Sequence, residues 1–175
     1  MSLITWSPID ISSSSILSNN NLTVKLGGET SGLKSDLVRA TEGKSSGKWY
    51  WEILCGEGIN QNMLIGVTTK NTSNWQDTNH KAYLPNGSKR NPLGEYGSTY
   101  TVGDVVGIAL NLDNKSITFY KNGISQGVAF TDLIENEYYP FAQLLNTAAR
   151  PVFTVNFGAT PFHYEVPKGY LPYKI

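Results

Sequence analysis

A chain of 175 residues with 14 basic and 14 acidic side chains carries no net charge that would draw it to nucleic acid or to an anionic membrane. Its single cysteine, Cys55, excludes an internal disulfide and any cysteine-based zinc cluster. The length suits one unit over residues 1–175 with a full sandwich core.

Near the N-terminus, residues 6–11 hold a short alternating apolar piece, and the run Ser12-Ser13-Ser14-Ser15 reads as a solvated loop. Leu22-Thr23-Val24-Lys25-Leu26 alternates cleanly and predicts a strand, stopped by Gly27-Gly28. Residues 37–41 predict another strand and residues 42–47 a loop. In the stretch 49–54, Trp49, Trp51 and Ile53 point one way, while Tyr50, Glu52 and Leu54 point the other. Both faces are bulky, so this strand should lie centrally with cover on both sides, and a buried Glu52 there would require a partner. Residues 63–67 form a further strand.

The least regular region is 70–96. It contains Trp75, His80, Tyr83, two glycine turns, and the adjacent cations Lys89 and Arg90, with residues 81–85 as a short strand inside it. Three antiparallel strands follow, at residues 102–112, 116–121 and 124–130. Asn122-Gly123 is a strong hairpin signal, because a type I′ turn needs φ > 0 at both central positions. A two-residue turn pairs Lys121 with Ile124, Phe119 with Gln126 and Ile117 with Val128. That register places Ile117, Phe119, Ile124 and Val128 on one face. Residues 131–136 form a loop, 138–145 and 151–157 the last long strands, and Pro161, Pro167 and Pro172 mark an irregular tail through Phe162, Tyr164 and Tyr170. No amphipathic helix of globular length is visible. The expected fold is therefore an all-β, two-sheet antiparallel sandwich with little helix.

Several of these stretches together resemble the SPRY domain family. They are Gly103-Asp104-Val105-Val106-Gly107, the hairpin Phe119-Tyr120-Lys121-Asn122-Gly123, and Gly127-Val128-Ala129-Phe130. Earlier, Gly47-Lys48-Trp49-Tyr50-Trp51-Glu52-Ile53 is similar to the family's Gly-x-x-Tyr-Trp-Glu strand. Later, Tyr139-Pro140-Phe141-Ala142 and Val155-Asn156-Phe157-Gly158-Ala159-Thr160-Pro161-Phe162 are similar to its closing strands. The likeness runs from about residue 37 to the C-terminus and leaves residues 1–36 as N-terminal strands outside it. It implies a concanavalin-like (jelly-roll type) sandwich that acts as a non-enzymatic protein-interaction module, presenting loops to a peptide or protein partner. It also makes Glu52 a framework position.

Other chemistry was weighed against the same residues. Gly123-Ile124-Ser125-Gln126-Gly127 fits the nucleophile-elbow pattern, but that device needs a strand-to-helix turn, and here a hairpin strand follows. The two histidines, His80 and His163, lie far apart in the chain. His80 reads as a solvated loop residue and His163 as a packed or capping one. Asp104 reads as a local amide acceptor, and Cys55 as a buried small hydrophobe. No cofactor and no metal are expected. Trp75, Tyr83, Lys89, Arg90 and Tyr96 are then the candidate partner-binding residues, because their segment is long, irregular and rich in the aromatic and Arg types that anchor interfaces. A lectin-like reading, with Trp75 and Tyr83 stacking on a glycan, is the alternative. No apolar run approaches the roughly 20 residues of a membrane span. With no secretion signal at residues 1–6, a cytoplasmic location is expected.

Overall fold

The computed structural model describes residues 3–27, 35–72, 77–145 and 149–174. In chain order the strands are β1 (Trp6–Ile11), β2 (Ile16–Ser18), β3 (Thr23–Lys25), β4 (Ser35–Ala40), β5 (Lys48–Cys55), β6 (Met63–Thr68), β7 (Lys81–Tyr83) and β8 (Ser88–Arg90). They continue as β9 (Gly94–Glu95), β10 (Val105–Asn111), β11 (Ser116–Lys121), β12 (Ile124–Phe130), β13 (Tyr139–Leu145), β14 (Val152–Asn156) and β15 (Leu171–Pro172). Among the described residues there is no helix. One sheet has seven strands in the order β1-β4-β13-β6-β7-β8-β9. The other runs β12-β11-β10-β5-β14-β3-β2, with β15 added parallel to the start of β5. This is the antiparallel sandwich that the alternation implied.

The reason lies in β5 and its neighbours. Trp51 pairs with Ile108 and Ile108 with Phe119, so three large side chains stand abreast on the inner face, none of them exposed. Across the gap, Val38, Ile65, Val67 and Ala142 of the other sheet complete one apolar core. Aromatic rings close its ends: Trp6 meets Phe157 edge-on at 5.7 Å, and Trp51 meets Tyr173 at 5.1 Å. Cys55 is buried as a small hydrophobe, and burial pushes its thiol up to about 12. Residues outside the resemblance are not an appendage. β1 joins the first sheet, and β2 and β3 join the second.

The Asn122-Gly123 hairpin forms, but its register differs from the one expected. Lys121 pairs with Ile124 and Tyr120 with Ser125, then the pairing slips to Thr118 with Val128 and Ile117 with Phe130. Gly127, at φ 84°, supplies the left-handed residue of this bulge. A bulge moves the following side chains to the other face. Ala129 and Phe130 therefore enter the core, while Ile124 and Val128 stand 69% and 57% exposed.

Candidate functional site

The excursion between β6 and β10 is fastened to the sandwich by side chains reaching backbone, more than by strand ladders. At its entrance the Arg39 guanidinium, almost fully buried, grips both Asp10 oxygens at 2.9 and 2.5 Å and donates to the carbonyls of Thr69 and Thr72. Hydrogen bonds from Arg39, against the opposing effect of burial and with help from Lys70, hold the Asp10 carboxyl below its ordinary range. Midway, Lys81 Nζ donates to the Asn91 carbonyl at 2.8 Å and pairs with Asp132 at 2.6 Å.

At its far end the excursion brings β9, the edge of one sheet, against β12, the edge of the other. Tyr96 bridges them: its hydroxyl donates to the Gly127 carbonyl at 2.6 Å and accepts the Phe119 amide at 3.1 Å. Lys89 Nζ donates to the Ala129 carbonyl at 2.7 Å and sits over the Phe130 ring, and the Ser98 amide donates to Gln126 Oε1 at 2.8 Å. These bonds cap carbonyls of an edge strand that would otherwise invite further pairing. Beneath the seam, Tyr83 packs against Tyr96 and Phe119 at 5.2 and 5.4 Å, donates to the Ser98 carbonyl, and accepts on its own carbonyl from Tyr100.

The sequence-derived candidates thus occupy different places. Tyr83 is completely buried and supports the seam from within. Lys89, Arg90 and Tyr96 are half-buried, with Lys89 and Tyr96 committed to the carbonyls of β12. Trp75 lies outside the described residues. What the sequence reading missed is the apolar surface around them. Leu93 (72% exposed) follows β8, Val128 lies beside the carbonyl that Lys89 caps, and Val102 (54%) neighbours the turn in which Asp104 accepts from Asn122 at the start of β12. Ile124 stands at that same end. The signal that could have found Val128 is Gly127, whose left-handed bulge turns it outward, while Ile124 is exposed beside the hairpin turn in its expected pairing with Lys121. A polar recess of about 330 Å³ adjoins the seam, lined by Asn86, Gly87, Ser88, Glu95, Tyr96 and Gly97.

One expectation about a titratable group changed. His80 is not solvated: its ring is fully buried beside Phe141 at 5.7 Å, and burial first, then the charge of Arg90, lowers it to about 4. Its polar neighbours in sequence, Asn79 and Lys81, hid the fact that β7 begins there. Among the described residues neither ring nitrogen has a hydrogen-bond partner, and the same holds for both polar atoms of the buried Gln143 side chain. Glu52, by contrast, is buried with both side-chain oxygens hydrogen-bonded, by Tyr50, His163 and Tyr164. Ser125, the centre of the elbow-like pattern, lies in β12. Asp104 accepts the Thr101 amide at 2.8 Å, as expected of a local acceptor.

Residues 48–160 match the family model of the SPRY domain. The chain is similar to Ran-binding protein 10 of Danio rerio, at 34% identity over 92% of this chain and 28% of that protein. Ran-binding protein 9 of Homo sapiens is likewise 34% identical, over 92% of this chain and 23% of its own length. The chain therefore spans about a quarter of the length of these curated relatives. Among solved structures, the SPRY domain of human HERC1 superposes with a TM-score of 0.77 at 19% identity, covering 89% of this chain and 99% of that one.

Proposed function

The chain belongs to the SPRY domain family, whose members are protein-interaction modules, and from that premise we propose that it binds a protein or peptide partner along the seam between β9 and β12. The observation that carries this reading is a set of exposed apolar side chains on backbone that is clamped from below. Leu93, Val102, Ile124 and Val128 face solvent, while Tyr83, Lys89 and Tyr96 fix the strands that present them. A surface already ordered before binding loses little entropy when it docks. Tyr83 and Lys89 act here as supports, and Tyr96 and Arg90 form the polar flank. Trp75 is proposed as a further contact.

Because the similar proteins are named for binding Ran, purified Ran is the first partner to try, alongside a peptide selected from a random displayed library against the wild-type chain. Titration calorimetry of Leu93→Asp and Val128→Asp should show affinity weakened by about tenfold or more, roughly 1.4 kcal/mol, with the melting temperature unchanged. Trp75→Ala and Arg90→Ala should behave alike. Affinity untouched by all four substitutions would remove the seam as the binding face.

A further inference from the structure

The outer face of the second sheet is covered by the chain itself. Between Phe157 and Tyr173, both buried in the core, residues 159–171 cross that face with every residue exposed or half-buried. Apart from the two-residue β15 this crossing has no regular structure. A segment so poor in burial cannot be held by the hydrophobic effect alone. Its polar attachment converges on one side chain, Glu52, which is 1% exposed at the centre of β5. Glu52 Oε2 accepts the His163 amide at 2.8 Å, and His163 Nδ1 lies 3.1 Å from the same oxygen. Oε1 accepts the Tyr164 amide at 3.0 Å and the Tyr50 hydroxyl at 3.2 Å.

Shape supports the same two residues. Phe162 sets its ring edge-on to Tyr50 at 5.1 Å. Tyr164 lies over the hairpin at Gly123, where any Cβ would stand 2.6 Å from its ring. Asn156 holds the carbonyls of Thr160 and Pro161 at 3.2 and 3.0 Å, and Tyr170 is hydrogen-bonded to Asn111. Beside this attachment a recess of about 230 Å³ opens against Leu22, Leu54, Val155 and Pro161.

We propose that residues 159–171 are a strap that opens locally, with Glu52 as its latch, while the sandwich stays folded. A buried carboxylate that loses three of its donors would be uncompensated in a closed interior, so opening must also admit water to Glu52. Strap and latch therefore move together as one unit. Opening uncovers Tyr50, Leu54 and a carboxylate poised to accept successive main-chain amides. That surface is separate from the seam and is occupied here by the chain's own residues 162–164.

Native-state hydrogen exchange on the full chain tests this. The His163 and Tyr164 amides should exchange through an opening insensitive to low denaturant, and at least about tenfold faster than the amides of Trp51 and Ile53 in β5. Glu52→Gln should speed the strap amides by about another tenfold beyond any change in β5. Should that variant fail to fold, Phe162→Ala, whose side chain belongs to the strap, provides the second measurement: trypsin should nick it after Lys168 about tenfold faster than the wild type. Strap amides that exchange only with global unfolding, or nicking equal in Phe162→Ala and wild type, would overturn the proposal.

Discussion

The two regions of this sandwich that together carry half of its tryptophan and tyrosine are built on opposite principles. β5 is held by ladders on both sides, paired with β10 over its whole inner register and with β14 at its end, and its side chains fill both faces. Among its described residues the excursion from residue 69 to 104 has three strands of three residues or fewer, and side chains such as Arg39, Lys81, Lys89 and Tyr96 fasten it one carbonyl at a time. Ladders are cooperative and indifferent to sequence as long as the alternation holds. Side-chain clamps are individually weak and depend on the residue at each position. The first device supplies stability, and the second sets where a loop sits.

If that contrast is right, the largest loss should come from the ladder region. Trp51→Ala removes a fully buried indole from the inner face beside Ile108 and Tyr173 and should cost about 3–5 kcal/mol. Urea denaturation reads this directly. A loss under about 1 kcal/mol would mean that β5 is not the keystone its pairing suggests.

The next effect is expected in acid and lies at the root of the excursion. His80 is held neutral in the fold, near 4, against 6.5 for a free imidazole. Between those values the unfolded chain binds the proton that the folded chain refuses. Stability is therefore full above pH 6.5, declines as pH falls, and is about 3 kcal/mol lower by pH 4. Asp10 has its pKa lowered, and so does Asp104, where burial opposes but Asn122 and the Thr101 amide prevail. Both carboxyls are shifted in the same direction as His80, and their stabilisation too is lost on acidification, but below 3.8. The window thus separates the groups. Urea midpoints at pH 7, 5.5 and 4.5 should fall in the wild type and stay level in His80→Phe.

The contrast also explains what could be read from the sequence. Alternation in residues 49–54 and the Asn122-Gly123 turn express backbone rules with a fixed period, so β5, β10 and the β11–β12 hairpin were legible, as was the need of Glu52 for partners. The bulge was not: Gly127 looks like any strand glycine until its φ is known, and the shifted register turned Val128 from core to surface, while Ile124 kept its expected pairing and is exposed beside the turn. His80 failed for a related reason, since polar neighbours describe a residue's position in the chain and not what β13 places beside it through Phe141. Tyr83, Lys89 and Tyr96 were singled out as partner-binding candidates, and in the structure they clamp the excursion to the sandwich. Their clamping contacts join residues 15 to 40 positions apart, as in Tyr83 with Ser98, Tyr96 with Gly127 and Lys89 with Ala129, and no local pattern encodes them.

The smallest effect tests the clamps themselves. Tyr96→Phe keeps the ring between Tyr83 and Phe119 and deletes only the hydroxyl that bridges the Phe119 amide and the Gly127 carbonyl. Both groups lie near the sheet edge, where water can replace a lost partner, so the cost in global stability should be about 1 kcal/mol. If clamps set position more than stability, the change should be disproportionate elsewhere. Amides of β9 and of residues 96–98 should exchange faster than those of β5, and affinity for a selected partner peptide should drop more than the melting temperature predicts. The hydroxyl belongs to neither sheet's ladder, so a ladder cannot compensate for it. Equal acceleration of exchange in β5 and β9 would instead place Tyr96 in the same cooperative unit as the core. The distinction between the two regions would then be one of geometry alone.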